Sequence, residues 1–229
     1  MRAFEKLPAQ FQNDSVKAYY DILSKRQGSI ILKRVFDIIV SLILLVFLII
    51  PIAVISILIK VNSPGPVLFK QKRVTTYGRI FKIYKFRTMV VNAESLGSKV
   101  TTKNDARITS IGKTLRKFRL DELPQIFNVI GGSMSFVGTR PEVQKYVDLY
   151  EDEYYATLLL PAGITSLTSI KFKDEENLLS AIVDTEKIDE TYVKTILPQK
   201  MEYNLQYTKE FGFLSDIKIM FKTVKEVIS

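Results

Sequence analysis

The sequence predicts a mostly helical α+β chain, in which an N-terminal apolar membrane helix precedes a small globular domain with a few short strands. Three observations carry this reading. Residues Ile38 to Ile59 form a 22-residue run with no charge; as a helix of ~33 Å it matches the hydrocarbon thickness of a bilayer. Residues Arg79 to Arg87 alternate basic with apolar, the period of a half-buried strand. Leu123, Ile126, Phe127 and Ile130 recur at helical spacing, and so do Ile217, Met220, Phe221, Val224, Val227 and Ile228.

The elements follow in order. Residues 1–31 form an N-terminal extension in which Val16 to Leu23 suit a short amphipathic helix, with Gly28 permitting a break. No chemistry is evident there. Residues 32–61 form the membrane element. Lys33 and Arg34 stand three to four positions before Asp37, offsets that place opposite charges on one helix face. Pro51 lies inside the run, where it removes one hydrogen bond and kinks the axis. Two arrangements stay open. A kinked crossing suits the hydropathy. A helix–break–helix hairpin, entering and leaving by one face, suits the basic residues on both flanks.

Residues 62–229 form the globular domain. Asn62-Ser-Pro-Gly-Pro66 is a turn cluster, followed by short strands at 67–69 and 79–87. Alternation sets Lys82, Tyr84, Phe86 and Thr88 on one face, with Ile83, Lys85 and Arg87 on the other. Residues 90–112 read as loop, and Gly112 to Arg119 as helix. A second helix starts at Asp121 and ends at Gly131-Gly132. Residues 142–160 read as helical, Pro161-Ala-Gly163 breaks the pattern, and residues 175–197 hold one or two helices. The last helix starts near Ser215-Asp216.

Composition excludes much chemistry. The 229 residues contain no cysteine and no histidine. Disulfides, thiolate metal sites and Ser-His-Asp triads are therefore ruled out. Carboxylates, Lys, Arg, Tyr, Ser, Thr or a hard cation must carry any reaction. The net charge of +9 is uneven: residues 60–120 hold fifteen Lys/Arg against Glu94 and Asp105 alone. Such a block beside a membrane element points to an anionic partner, or to a solvated loop obeying the positive-inside tendency.

Leu120-Asp-Glu-Leu-Pro-Gln-Ile-Phe-Asn128 places two adjacent carboxylates at a helix start, where backbone N–H groups favour negative charge and lower a carboxyl pKa. Arg116, Lys117 and Arg119 precede the pair, and Arg140 follows a Gly-rich turn. Ionised acids among arginines fit Mg²⁺ binding or attack on phosphorus. Spacing alone also allows the pair to be an ordinary cap.

Five blocks in order settle the comparison. They are Lys33-Arg-Val-Phe-Asp37, Ser63 to Arg73, Phe81 to Met89, Leu120 to Ile130 and Met134 to Glu142. From about Leu32 to the C-terminus the chain resembles the bacterial sugar transferase family, the small monotopic phosphoglycosyl transferases. The resemblance implies transfer of a sugar 1-phosphate from a nucleotide diphosphate sugar, usually UDP-linked, to polyprenyl phosphate (undecaprenyl phosphate), with release of UMP. It implies Mg²⁺ as cofactor and a re-entrant helix broken at Pro51. It places the catalytic domain at the cytoplasmic face of the bacterial inner membrane, in glycoconjugate or polysaccharide assembly. Asp121 is then the nucleophile that forms a phosphosugar-aspartyl intermediate. Glu122 supports Asp121 or the metal, Arg140 holds phosphate, and Lys85, Arg87 and Arg119 share that work. Some positions depart from the family pattern: Ile50-Pro51 where Ser-Pro is frequent, Thr139-Arg-Pro141 for Pro-Arg-Pro, and Ala162-Gly-Ile-Thr-Ser166 for Pro-Gly-Ile-Thr-Gly. They weaken any carry-over of sugar preference. A rival reading is a non-catalytic adaptor holding anionic lipid through the basic block. Nucleic acid is not expected as a partner, because the aromatics of residues 67–86 read as strand core. The sequence leaves the oligomeric state open, a homodimer included.

Overall fold

The structure, a computed structural model, describes residues 1–93, 105–172 and 189–228. Two 3₁₀ turns lead into helix α1 (Asp14–Ser24). Asn13 caps it, accepting a bond from the Val16 N–H at 2.8 Å. Val16 and Leu23 are fully buried, as their spacing predicts. The break expected at Gly28 falls instead at Lys25–Arg26. Gly28 lies inside the next helix, where an added side chain would meet open space, so nothing there requires glycine.

Helix α2 (Gln27–Asn62) is continuous through Pro51, where a break was expected. The lost hydrogen bond affects one turn, and the apolar residues on both sides resume the helix. One stripe of α2 faces the globular body: Lys33, Asp37, Ser41, Ile55 and Ile59 are buried at helical spacing. Val46, Phe47, Ile50, Ile57 and Val61 are largely exposed on the outer faces. An apolar surface of this extent calls for cover other than water, and α2 is long and apolar enough to cross a membrane.

The pairs expected within α2 are not made. Lys33 Nζ reaches Asp216 Oδ2 near the other end of the chain. Asp37 Oδ1 accepts from the Phe136 N–H at 3.3 Å. Arg34 donates to the Val129 and Ile130 carbonyls at 2.6 and 2.9 Å, where a short helix leaves carbonyls unsatisfied. Tertiary partners outcompete the local ones because they also satisfy buried groups. Lys33 and Asp216 are both nearly inaccessible, and the Tyr207 hydroxyl donates to Asp216 at 3.0 Å. Removing one partner of such a pair leaves a buried charge, at a cost of about 3–5 kcal/mol. Lys33→Met is expected to lose stability of that order in chemical denaturation. The double variant Lys33→Met, Asp216→Leu is expected to regain most of it. An unchanged midpoint in the single variant would mean that the pair is open in solution.

Strands β1 (Leu68–Thr75) and β2 (Arg79–Phe86) form an antiparallel hairpin pairing Leu68 with Phe86 and Thr75 with Arg79. Tyr77 and Gly78 both take positive φ to reverse the chain. Phe81 and Ile83 face a core with Val129 and Met134, and Lys85 continues that face. Phe86, on the opposite face, is also buried, because the open end of the hairpin packs on Ile55 and Ile59 of α2 and on Leu115.

Helix α3 (Ser110–Lys117) is followed by a 3₁₀ turn, Leu120–Gln125, and then α4 (Ile126–Ile130). The sequence suggests one α-helix from Asp121. The tighter first turn rotates the stripe, so Val129 and Pro124 are buried while Phe127 is exposed. A second, parallel pair went unforeseen: β3 (Met134–Val137) with β4 (Ala162–Thr165). Gly138 and Gly163 cross there so closely that a Cβ at Gly163 would lie 2.2 Å from the Gly138 nitrogen. The helix expected over 142–160 is only α5 (Gln144–Val147) and a 3₁₀ stretch, Asp152–Leu158, divided by extended backbone at Glu151. Helix α6 (Leu167–Lys171) follows β4. The helices expected within 175–197 lie mostly outside the described residues. A π-helical turn, Tyr192–Ile196, leads into α7 (Leu197–Glu210), and α8 (Phe213–Ile228) ends the chain. Leu7, Phe11, Val16 and Leu23 of the extension share one core with Val74, Val137, Leu159, Tyr207 and Phe211.

Candidate active site

The Asp121–Glu122 pair sits where α3, the hairpin and the β3–α5 loop converge. Its local backbone is unusual. Arg119 adopts φ 56°, a left-handed conformation that costs a non-glycine residue about 1 kcal/mol or more. That residue reverses the chain after α3 and starts the 3₁₀ turn carrying both acids. Asn128 ties the turn to β2: its Nδ2 donates to Lys82 O at 2.9 Å, and its Oδ1 accepts from the Tyr84 N–H at 2.9 Å. The next residue on β2, Lys85, then reaches Glu122 Oε1 at 2.7 Å. Arg140, three residues past β3, places Nη2 3.7 Å from the same oxygen.

The two carboxylates are held differently. Burial pushes the Glu122 carboxyl up, but Lys85, Arg140 and Arg119 outweigh it and hold the group down to about 2. Glu122 is thus charged at any physiological pH. Burial pushes Asp121 above the ordinary aspartate value; Lys85 opposes this, Glu122 adds to it, and Arg116 and Arg119 oppose it further. The expectation that a helix start would lower its pKa is corrected. The segment is a single 3₁₀ turn and the side chain is 7% exposed, so desolvation outweighs the backbone contribution. No described residue donates a hydrogen bond to the Asp121 carboxylate.

Three of the cations singled out in the sequence, Lys85, Arg119 and Arg140, gather around the Asp121–Glu122 pair, Arg140 on the Glu122 side. Arg87 does not join them. Its guanidinium donates to Ser63 O at 2.7 Å, Ser63 Oγ at 2.9 Å and Pro64 O at 2.6 Å, clamping the turn after α2. Gly65 in that turn has φ 118° and lies so near that a Cβ would meet Arg87 Nη1 at 2.1 Å. Pro51 lies inside α2 and is exposed. Arg116, noted only as one of several basic residues, proves to act on Asp121. Its place on α3, one turn before the left-handed residue, is the signal that could have marked it.

A cavity of about 460 Å³ opens beside Glu122, and Asp121, its neighbour in the chain, is not one of the residues that line it. Arg119, Glu122 and Arg140 line one part of it. Leu44 and Leu48 of α2, with Ile126, Phe136, Ile164 and Ile170, form apolar walls, and Thr223 of α8 closes a side. The space is amphipathic: charged where the acids lie, apolar where it meets the membrane helix.

Comparison with known proteins agrees with this geometry. The family model for bacterial sugar transferases matches residues 28–229. Over 177 residues, 76% of its length, the chain is 37% identical to a UDP-N-acetylgalactosamine-undecaprenyl-phosphate N-acetylgalactosaminephosphotransferase of Aeromonas hydrophila, covering 38% of that protein. It is 36% identical over 200 residues to a UDP-glucose:undecaprenyl-phosphate glucose-1-phosphate transferase of Klebsiella pneumoniae, covering 86% of the chain and 40% of the relative. An undecaprenyl-phosphate galactose phosphotransferase of Salmonella typhimurium is 32% identical over 221 residues, with 90% and 42% covered. The chain therefore spans about two-fifths of the length of these relatives. With a match that runs from the start of α2 through α8 and takes in both acids and Arg140, the chain belongs to the bacterial sugar transferase family.

Proposed function

We propose that this protein transfers a sugar 1-phosphate from a UDP-sugar to undecaprenyl phosphate at the cytoplasmic face of the bacterial inner membrane. The observation that carries the proposal is the amphipathic cavity, which joins apolar walls on α2 to Arg119, Glu122 and Arg140, with Asp121 next to Glu122 in the chain. A lipid phosphate needs that combination: an apolar channel for the chain and cations for the head. The relatives named above act on UDP-sugars and undecaprenyl phosphate, which supports the choice of both substrates.

In the first step, a carboxylate oxygen of Asp121 attacks the sugar-bearing β-phosphorus. An O–P bond forms, the bond from that phosphorus to the bridging oxygen breaks, and UMP leaves. In the second step an oxygen of the lipid phosphate attacks the same phosphorus, and the Asp121 carboxylate is released. Asp121 suits the task because its carboxylate is poorly solvated and accepts no hydrogen bond from the described residues that must first be broken. Lys85 and Arg140, beside Glu122, offset the charge that two anionic substrates bring to an acidic pair.

The donor set fits Mg²⁺. Among the described residues no cluster of three or more His, Cys, Asp and Glu exists, so a full protein cage is ruled out there. Mg²⁺ commonly takes one or two carboxylates and completes its shell with phosphate and water. Asp121 and Glu122 would hold it, and when bound it would neutralise the phosphoryl oxygens.

The proposed membrane placement draws support from α2, although that helix is unbroken at Pro51. Residues at both of its ends, Lys33 and Ile59, are buried against the same globular body. This supports an element that enters and leaves by one face, with the basic flanks on that side. The proposal is tested by incubating the protein with Mg²⁺, undecaprenyl phosphate and a panel of UDP-sugars. UMP release with at least one sugar, abolished by EDTA, is the expected result. No release across the panel would favour the adaptor reading.

A further inference from the structure

A buried polar chain runs from α7 to the loop that carries Arg140, and the steps above make no use of it. Glu142 is 6% exposed, and its Oε1 accepts from the Tyr192 hydroxyl at 2.7 Å. Lys200 Nζ donates to that hydroxyl at 3.3 Å. All three residues are buried. The backbone on either side of Arg140 is pinned as well. Thr139 O accepts from the Gly163 N–H at 2.9 Å, and Glu142 O from the Val74 N–H at 2.9 Å. Pro141 O accepts from Arg73 Nη1 at 3.1 Å. The Arg140 side chain remains 35% exposed, with its guanidinium toward Glu122.

Two features argue that this chain does more than fill space. A buried carboxylate is costly, and a well-packed apolar residue would often serve stability as well or better. Tyr192 is also the first residue of the π-helical turn. Such turns are rare and concentrate at functional sites. Here the turn begins at the residue whose hydroxyl meets Glu142.

We propose that Glu142 and Tyr192 are positioning residues, which fix the Arg140 loop so that the guanidinium meets the phosphoryl group above Glu122. This rests on the transferase reading. A donor misplaced by a fraction of an ångström loses most where charge develops, so the effect falls on turnover more than on substrate binding.

The test is a double-mutant cycle. Tyr192→Phe removes one hydroxyl and keeps the ring that packs on Tyr146. It is expected to lower kcat by about tenfold, with KM for the UDP-sugar changed by less than about twofold and Tm by no more than a few degrees. In an Arg140→Lys background, where no guanidinium remains to be aimed, the same change is expected to lower kcat by less than about twofold. Unchanged turnover in Tyr192→Phe, an equal loss in both backgrounds, or a fall in Tm that accounts for the lost activity would overturn the proposal. If the wild type releases no UMP, the transferase reading fails. The cycle is then read on pyrophosphate affinity by calorimetry, where non-additivity supports the positioning role and additivity overturns it.

Discussion

Asp121→Asn is expected to reduce UMP release by about three orders of magnitude or more, the scale on which removal of a covalent nucleophile acts. The amide has nearly the shape of the carboxylate but cannot attack phosphorus. Glu122 is a poor substitute, because Lys85 and Arg140 hold it and keep it at low basicity. The variant should nonetheless fold. Asp121 accepts no hydrogen bond from any described residue, and burial disfavours its charged form, so a neutral side chain there is expected to leave Tm unchanged or higher. Without lipid acceptor, the wild type is expected to release about one equivalent of UMP and gain the mass of a phosphosugar. The Asn variant should show neither. Retention of more than about a tenth of wild-type turnover would remove Asp121 from the nucleophile role.

Phe11→Ala should lose about 3–5 kcal/mol of stability, the range for deleting a large buried aromatic. Phe11 is fully buried, with its ring edge-on to Tyr155 at 5.5 Å. It belongs to the core that includes Val74, Val137 and Phe211. It also lies outside the span that the family model matches, residues 28–229. On family grounds alone the first 27 residues would be set aside, yet they cover part of the main core. Urea unfolding of the detergent-solubilised protein measures the effect. A loss below about 1 kcal/mol would mean that the extension is not docked in solution.

What the sequence made legible was periodic or motif-bearing. The apolar run, strand β2, α1 and α8 were readable from spacing, whereas β1 was read only over 67–69 and its pairing with β2 was not; Asp121, Glu122, Lys85, Arg119 and Arg140 do come together. What it hid depended on partners far along the chain. Lys33 and Asp37 look like a helical ion pair, but they bond to Asp216 and Phe136. Arg87 shares a face with Lys85 by strand alternation, yet β2 ends at Phe86 and the nearby turn takes the Arg87 guanidinium to Ser63 and Pro64. The β3–β4 pair is four residues a side, too short for periodicity to register, and its close glycine crossing has no local signature. Tyr192 stood among many tyrosines until the π-turn showed where its hydroxyl points.

Leu44 and Leu48 belong both to the membrane helix and to the wall of the cavity. If that cavity takes the acceptor, its phosphate head reaches Glu122 while its hydrocarbon tail slides sideways along α2 and never enters bulk water. The nucleotide must come from the aqueous side. Separate routes would let UMP depart before the acceptor arrives, so that neither has to displace the other. The acceptor's supply would then depend on its density within one leaflet and on how fast it diffuses there, not on any concentration in the cytosol.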